Sequence, residues 1–207
     1  MENEEIKMSE SESMLLITSM INKAKNLYGE TGLFYLIWGW VILFCCLTEF
    51  VTGHFFHNPK GNLVWLLIYA VLIFQVFYIR KTKRSRRTRT YTREINSFVW
   101  LSFFICLMLT IFICVSFKKY ELINPLLLVL YGIPTFLSGI IIKFKPLLFG
   151  GIFCWTMAFI SPFINPEYHV LLSALAVIAA WIIPGHLLRN KFKSEMGGTN
   201  LEITNGI

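Results

Sequence analysis

Six long apolar blocks separated by short polar loops constrain this chain more than anything else in it. They run roughly 32–53, 62–79, 96–116, 123–142, 146–163 and 168–188. Each approaches or reaches the ~20 residues that carry a helix across a ~30 Å hydrocarbon layer. The blocks are continuously apolar instead of alternating, so they read as helices and not as barrel strands. Blocks two and five are the shortest. Six transmembrane helices are therefore expected, the alternative being five with the fifth block re-entrant.

Composition agrees with this reading. Of the 207 residues 56% are hydrophobic and only 15% charged, against ~25% charged in an average soluble domain. Asp is missing altogether and all twelve acids are Glu. The five cysteines, Cys45, Cys46, Cys106, Cys114 and Cys154, lie inside apolar blocks with no CxxC pair, so no disulfide framework is expected. The acidic opening MENEEIKMSESES does not read as a signal peptide, because the first apolar block begins only near Leu33.

Loop charge orients the spans. If both termini are cytoplasmic, the inner segments hold sixteen Lys and Arg and the outer loops hold three, Lys60, Lys118 and Lys119. That asymmetry is the positive-inside pattern. Its largest contributor is RKTKRSRRTRTYTR, which carries Arg80, Lys81, Lys83, Arg84, Arg86, Arg87, Arg89 and Arg93. A nucleic-acid surface would interleave such charge with aromatics, and only Tyr91 is present. A cytoplasmic loop over residues 80–94, lying against anionic headgroups, accounts for the stretch.

Before the first block, residues 9–29 read as an amphipathic helix. Ser9 and Glu12 form a capping box, and Met14, Ile17, Met20, Ile21, Ala24, Leu27 and Tyr28 recur at three- and four-residue steps. Gly29 is the expected stop. The chain thus divides into an acidic tail with an interfacial helix (1–30), a transmembrane domain (31–190) and a cytoplasmic tail (191–207) expected to be disordered.

Candidate sites are few. Glu49 and Gln75 are the polar residues within the spans, where burial is expensive and function is the default suspicion. His54, His57 and His169 fall at the outer face with Glu49 and Glu167 nearby, a set able to ligate Zn²⁺ or Cu²⁺; interfacial histidines among aromatics are the plainer alternative. Gly132 and Pro134 predict a kink in the fourth span. Gly150 and Gly151 in the fifth, with Ser173, Ala176 and Ala180 in the sixth, have the small-residue spacing of close helix contacts, within the chain or with a second copy. Trp38, Trp40, Trp65, Trp100 and Tyr168 read as an interfacial aromatic belt, whereas Trp155 and Trp181 lie deeper. No HExxH, GxSxG or phosphate loop is present, so neither an enzyme nor a cofactor is expected.

The stretches YGIPTFLSGIIIKFKPLLFGGIFCW and ALAVIAAWIIPGHLLRNKFK, with LFYLIWGWVILF and the MINKAK-bearing helix before it, carry a likeness. From about Ser11 to Lys193 the chain resembles a family of small, uncharacterised bacterial multi-pass membrane proteins. The resemblance implies an inner-membrane location and brings no catalytic residue with it. Taken together, the expectation is a non-enzymatic sensor, regulator or assembly component. It would work through its amphipathic helix and basic loop, with anionic lipids, a cytoplasmic protein or a second copy as partners. The alternative is an oligomeric channel or small-solute transporter.

Overall fold

The computed structural model describes residues 10–56, 59–85, 91–191 and 193–194, and among them there is helix and no strand. The α-helices are α1 (Glu10–His54), α2 (Leu67–Ser85), α3 (Tyr91–Ser116), α4 (Ile123–Ile141), α5 (Lys145–Ile160) and α6 (His169–Val177). α6 passes through a π turn at Ile178–Ile182 and continues as helix to residue 191. Five stretches are long and apolar enough to cross a membrane: Gly32–His54, Glu94–Ser116, Tyr120–Ile141, Lys145–Phe163 and Pro166–Lys191. Large apolar side chains point outward, Phe112, Phe159 and Phe163 being 70–81% exposed, which suits a hydrocarbon surround and not water. The chain is a multi-pass helical membrane protein.

The alternative of a re-entrant fifth block is not what the structure holds, because Lys145–Phe163 is a 19-residue span-length helix. In the second block the described apolar helix is Leu63–Tyr78, and Pro59–Leu66 winds as 3₁₀ helix before α2 begins. Gly29 does not stop a separate helix. α1 runs unbroken for 45 residues, because a lone glycine weakens a helix by only ~1 kcal/mol and the spans on its C-terminal side outweigh that. Ser9, the expected cap, lies outside the described residues, as does the tail from 195 onward.

Successive helices run antiparallel. One end of the bundle carries Lys143, Lys145 and Arg189 and is called here the basic end; His54, Glu121, Ser161 and His169 gather at the other. α4 and α5 form the tightest hairpin. α4 closes on a Schellman-type cap, in which the Phe144 amide reaches the Gly139 carbonyl at 2.8 Å and Lys143 takes a left-handed φ of 56°. α5 then starts from extended Phe144, with Pro146 in its first turn. α3 ends the same way, with Lys118 left-handed and the Lys119 amide on the Cys114 carbonyl at 2.8 Å.

Glycines let the backbones meet. A Cβ on Gly139 would fall 2.6 Å from the Leu148 amide nitrogen, and one on Gly150 would fall 2.6 Å from Ala180 Cα. α6 therefore lies in contact with α5 through Gly150, and with α1 through Gly39, Gly32 and Gly185. The π turn sits where these contacts converge. Pro184 has no N–H for the Ala180 carbonyl, and the Ile183 amide bonds back to Ile178 instead, widening the helix by one residue. α4 accommodates its own Pro134 differently, continuing as α-helix through it.

Candidate functional site

The four helices α1, α3, α4 and α6 bring a closed aromatic core together, beginning from the one-turn spacing of Tyr35 and Trp38 on α1. Tyr35 meets Trp100 edge-on with centroids 5.7 Å apart, and Trp38 lies against Phe104 at 5.7 Å. Trp100 in turn contacts Trp181 at 5.9 Å, and Trp181 meets Tyr131 at 5.1 Å. Trp38 and Trp100 are thus core residues and not part of a lipid-facing belt; Trp40, 55% exposed, does face outward. Position within a block could not separate the two roles, since Trp38 and Trp40 are neighbours in sequence on opposite sides of one helix.

Uncharged polar groups thread this core. The Trp181 indole donates to Thr135 Oγ1 at 2.9 Å, and that hydroxyl donates to the Tyr131 carbonyl one turn earlier at 2.7 Å. Ser138 donates to Asn96 Oδ1 at 2.7 Å, joining α4 to α3. The relays keep fully buried hydroxyls paired, which a low-dielectric interior demands. The Tyr35 hydroxyl is the exception. It lies beside Ser138 and Trp100, yet it is buried without a hydrogen-bond partner among the described residues. None of Thr135, Ser138, Asn96 or Tyr35 stood out in the sequence, because hydroxyls and one amide within apolar runs carry no motif.

The two span polar residues belong to a second feature, the seam between α1 and α2. Gln75 accepts from the Trp38 indole at 2.7 Å, and Glu49 accepts from the Trp65 indole at 2.9 Å. The Cys45 thiol donates to the Val64 carbonyl at 3.6 Å, and Phe34 meets Tyr78 edge-on at 5.7 Å. α2 and the 3₁₀ segment before it are therefore hung on α1 by two indole clasps, at Gln75 and at Trp65. In hydrocarbon each clasp pairs a donor and an acceptor that would otherwise go unserved.

Of the three histidines proposed as ligands, His54 and His169 have separate partners. His54 stacks on Phe50 at 5.3 Å and lies 4.0 Å from the Glu167 carboxylate. His169 is buried: its Nε2 is 2.8 Å from the Ser161 carbonyl and 3.0 Å from that of Ile164, and its Nδ1 is 3.4 Å from the Glu121 carbonyl. A nitrogen facing two carbonyls must carry its proton and offers no lone pair to a metal. His169 is accordingly a pin that ties α6 to the preceding turn and to the α3–α4 loop. His57 lies outside the described residues, and no group of three His, Cys, Asp or Glu among the described ones is placed to hold an ion.

The remaining predicted positions are scattered. Gly150 packs on Ala180 as expected between α5 and α6, but Gly151 faces α4, where its Cβ would meet Phe136 at 2.7 Å. Ala176 is fully buried, and Ser173 shares a 3.3 Å hydrogen bond with Asn124 of α4. The Gly132 notch is filled by Trp155, whose indole donates to the Val129 carbonyl at 3.1 Å. In the basic stretch Arg80, Lys81, Lys83 and Arg84 continue α2, and Arg93 lies in the first turn of α3. Arg86, Arg87 and Arg89 fall outside the described residues. All five cysteines are free, and only Cys106 is exposed.

Compared with family models, with curated proteins and with solved structures, the chain matches none.

Proposed function

We propose that this protein is a non-enzymatic sensor, regulator or assembly component of the bacterial inner membrane, crossing it six times with both termini in the cytoplasm. The observation that carries this reading is α1. Its Gly32–His54 portion is long and apolar enough to span, and residues 10–31 continue the same helix for ~33 Å at 1.5 Å per residue. The span portion is seated directly on α6 through Gly32 and Gly39, so anything that grips the extension pulls on the core. The apolar stripe from Met14 to Tyr28 supplies the grip, for a cytoplasmic protein or a second copy.

The sixth crossing is α2. Its described apolar stretch, Leu63–Tyr78, leads into the arginines and lysines from Arg80 onward, which can snorkel to the headgroups. The same residues favour anionic lipid at the cytoplasmic face. The filled aromatic core supports a regulator over a conduit, since Trp181 and Tyr131 occupy the place a pore would need.

Affinity purification of the full chain tests the reading. We expect a stoichiometric cytoplasmic partner, or a defined homo-oligomer, that is lost on deleting residues 1–29 while the span domain keeps its melting temperature. Solute or ion flux through liposomes holding the pure chain, with neither partner nor oligomer lost on that deletion, would refute it in favour of the channel or transporter. Cysteine placed at Lys118 should react with an impermeant maleimide added from outside intact cells, and cysteine placed at Ser85 should not.

A further inference from the structure

His169 stands where α6 begins, at the end of the bundle away from the basic end, and three main-chain carbonyls surround its buried ring. Nε2 lies 2.8 Å from the Ser161 carbonyl oxygen and 3.0 Å from that of Ile164, while Nδ1 lies 3.4 Å from that of Glu121. All three partners are acceptors. A neutral imidazole carries one N–H and one lone pair. The two short contacts hold the proton at Nε2, so the Nδ1 lone pair faces the Glu121 oxygen with no hydrogen between them. The spacing fits this, since N–H···O bonds close to ~2.7–3.2 Å.

One further proton completes the arrangement. An imidazolium donates from both nitrogens, and a donor is what Nδ1 needs in order to hold the Glu121 carbonyl. Hydrogen bonds from a charged donor are about twice as strong as neutral ones, which offsets the cost of taking the charge out of water. No other ionisable group competes for the ring. Lys118, Lys119, Tyr120 and the Glu121 carboxylate on the α3–α4 loop are exposed. So are Glu167 and Tyr168 just before His169; on α1, His54 is exposed and Glu49 is engaged with Trp65. α4 and α5 bring no ionisable side chain to this end. The described polar contacts of the ring are the three carbonyls.

The geometry points to His169 as a proton-operated latch. When the ring is protonated, Nδ1–H takes the Glu121 carbonyl and fastens the α3–α4 loop to α6; when the proton leaves, the loop is released. Nε2 keeps its proton and its hold on Ser161 and Ile164 in both states, so the loop alone responds. Histidine is the side chain whose charge ordinarily changes between pH 5 and 8, and the signal is therefore a mild acidification. The loop can report its own state, because its amides are hydrogen-bonded: Phe117 to the Ile113 carbonyl, Lys119 to that of Cys114 and Leu122 to that of Lys119. The latch stands whether or not the α1 extension binds a partner.

Hydrogen exchange read by mass spectrometry tests this on the full chain in phosphatidylcholine nanodiscs, where both faces meet the same buffer and orientation does not matter. Labelling times are scaled for the intrinsic dependence of exchange on pH. We expect residues 117–122 to exchange about 10- to 100-fold more slowly at pH 5 than at pH 8, the effect of one hydrogen bond to a charged group. Residues 161–164 should change little. His169→Gln keeps a donor near the place of Nε2 and cannot titrate, and it should abolish the pH dependence in 117–122. Replacing His54, His57 and His186 together by Gln leaves His169 as the one histidine and should preserve that dependence. In this triple variant the ¹⁵N imidazole resonances should show Nε2 protonated at pH 8, and Nδ1 gaining its proton over the range in which the loop becomes protected. Exchange in 117–122 that does not change with pH, a change that survives His169→Gln, or one lost in the triple variant overturns the proposal. Should His169→Gln not fold, the resonances decide: an Nδ1 that takes no proton between pH 8 and 5, or takes one without loop protection, overturns it equally.

Discussion

Replacing Gly150 by alanine tests whether α5 and α6 are held at backbone contact. The added Cβ would fall 2.6 Å from Ala180 Cα, 3.1 Å from the Ala179 carbonyl oxygen and 3.3 Å from that of Ala180. Carbon atoms rest at ~3.5–4.0 Å, so the helices must part by about 1 Å. All three obstacles are backbone atoms, and they belong to the π turn Ile178–Ile182. Overpacking of this kind costs ~1–3 kcal/mol, and the gain in helix propensity from Gly to Ala returns ~1 kcal/mol. A net loss of up to ~2 kcal/mol is expected, seen as a melting temperature lowered by up to a few degrees in detergent. Two controls calibrate the result. At Gly39 the nearest atom is the movable Cγ1 of Ile182 at 2.7 Å, and at Gly53 nothing lies within 4 Å. Gly39→Ala should therefore be milder than Gly150→Ala, and Gly53→Ala should be neutral or stabilising by up to ~1 kcal/mol. If Gly150→Ala melts at or above wild type, the two backbones are not in contact and the packing argument fails.

Other outcomes follow from single features. Lys118→Gly and Lys143→Gly relieve left-handed residues at the α3 and α4 caps and should each raise stability by ~1 kcal/mol in the same melting assay. Tyr35→Phe removes a buried hydroxyl that has no partner among the described residues and should be neutral or stabilising, whereas Thr135→Val orphans the Trp181 indole and should lose ~1–3 kcal/mol; the reverse order would show the polar core to be misassigned. His169→Ala should speed hydrogen exchange in residues 161–164 and 117–122, the segments whose carbonyls it ties to α6. Zinc should not raise the melting temperature, although a filled site at 100-fold its Kd would add ~2.7 kcal/mol.

How much of this was legible in the sequence depended on the length over which a signal is averaged. Span positions are set by some 20 residues at once, so one error hardly matters, and five of the six blocks appear as span-length helices. Hydropathy is blind to winding, so it could not show that NLVWL at the head of block two is 3₁₀ helix. Gly29 deceived: a glycine is a stop only if the chain beyond it turns, and here the apolar span beyond it stays in register. The small residues of α5 announced close packing, but adjacent positions on a helix point ~100° apart. Gly150 and Gly151 thus had to face different neighbours, α6 and α4, and composition could not say which. The core relays were illegible because each joins residues some forty positions apart, as in Trp181 with Thr135 and Ser138 with Asn96.

The polar groups of the bundle differ in kind from those of its ends, and the difference bears on what the molecule can do. Inside, nearly every hydrogen bond is made by an uncharged donor, with indoles supplying the contacts between α1 and α2 and between α6 and α4. An indole donates only one bond and places a large flat surface around it, so each such contact fixes orientation as well as distance. A helix held in this way cannot slide by one residue without breaking its bond and unpacking its ring together. α1 is fixed to α2 by Trp38 and to α6 by Gly32 and Gly39, so a displacement of α1 is passed to α6. The place built to yield is the π turn of α6, where one residue is already in excess and Trp181 is the group that a return to α-helical winding would turn. A force on the α1 extension would accordingly be registered at Trp181, where a shift in indole fluorescence can follow it.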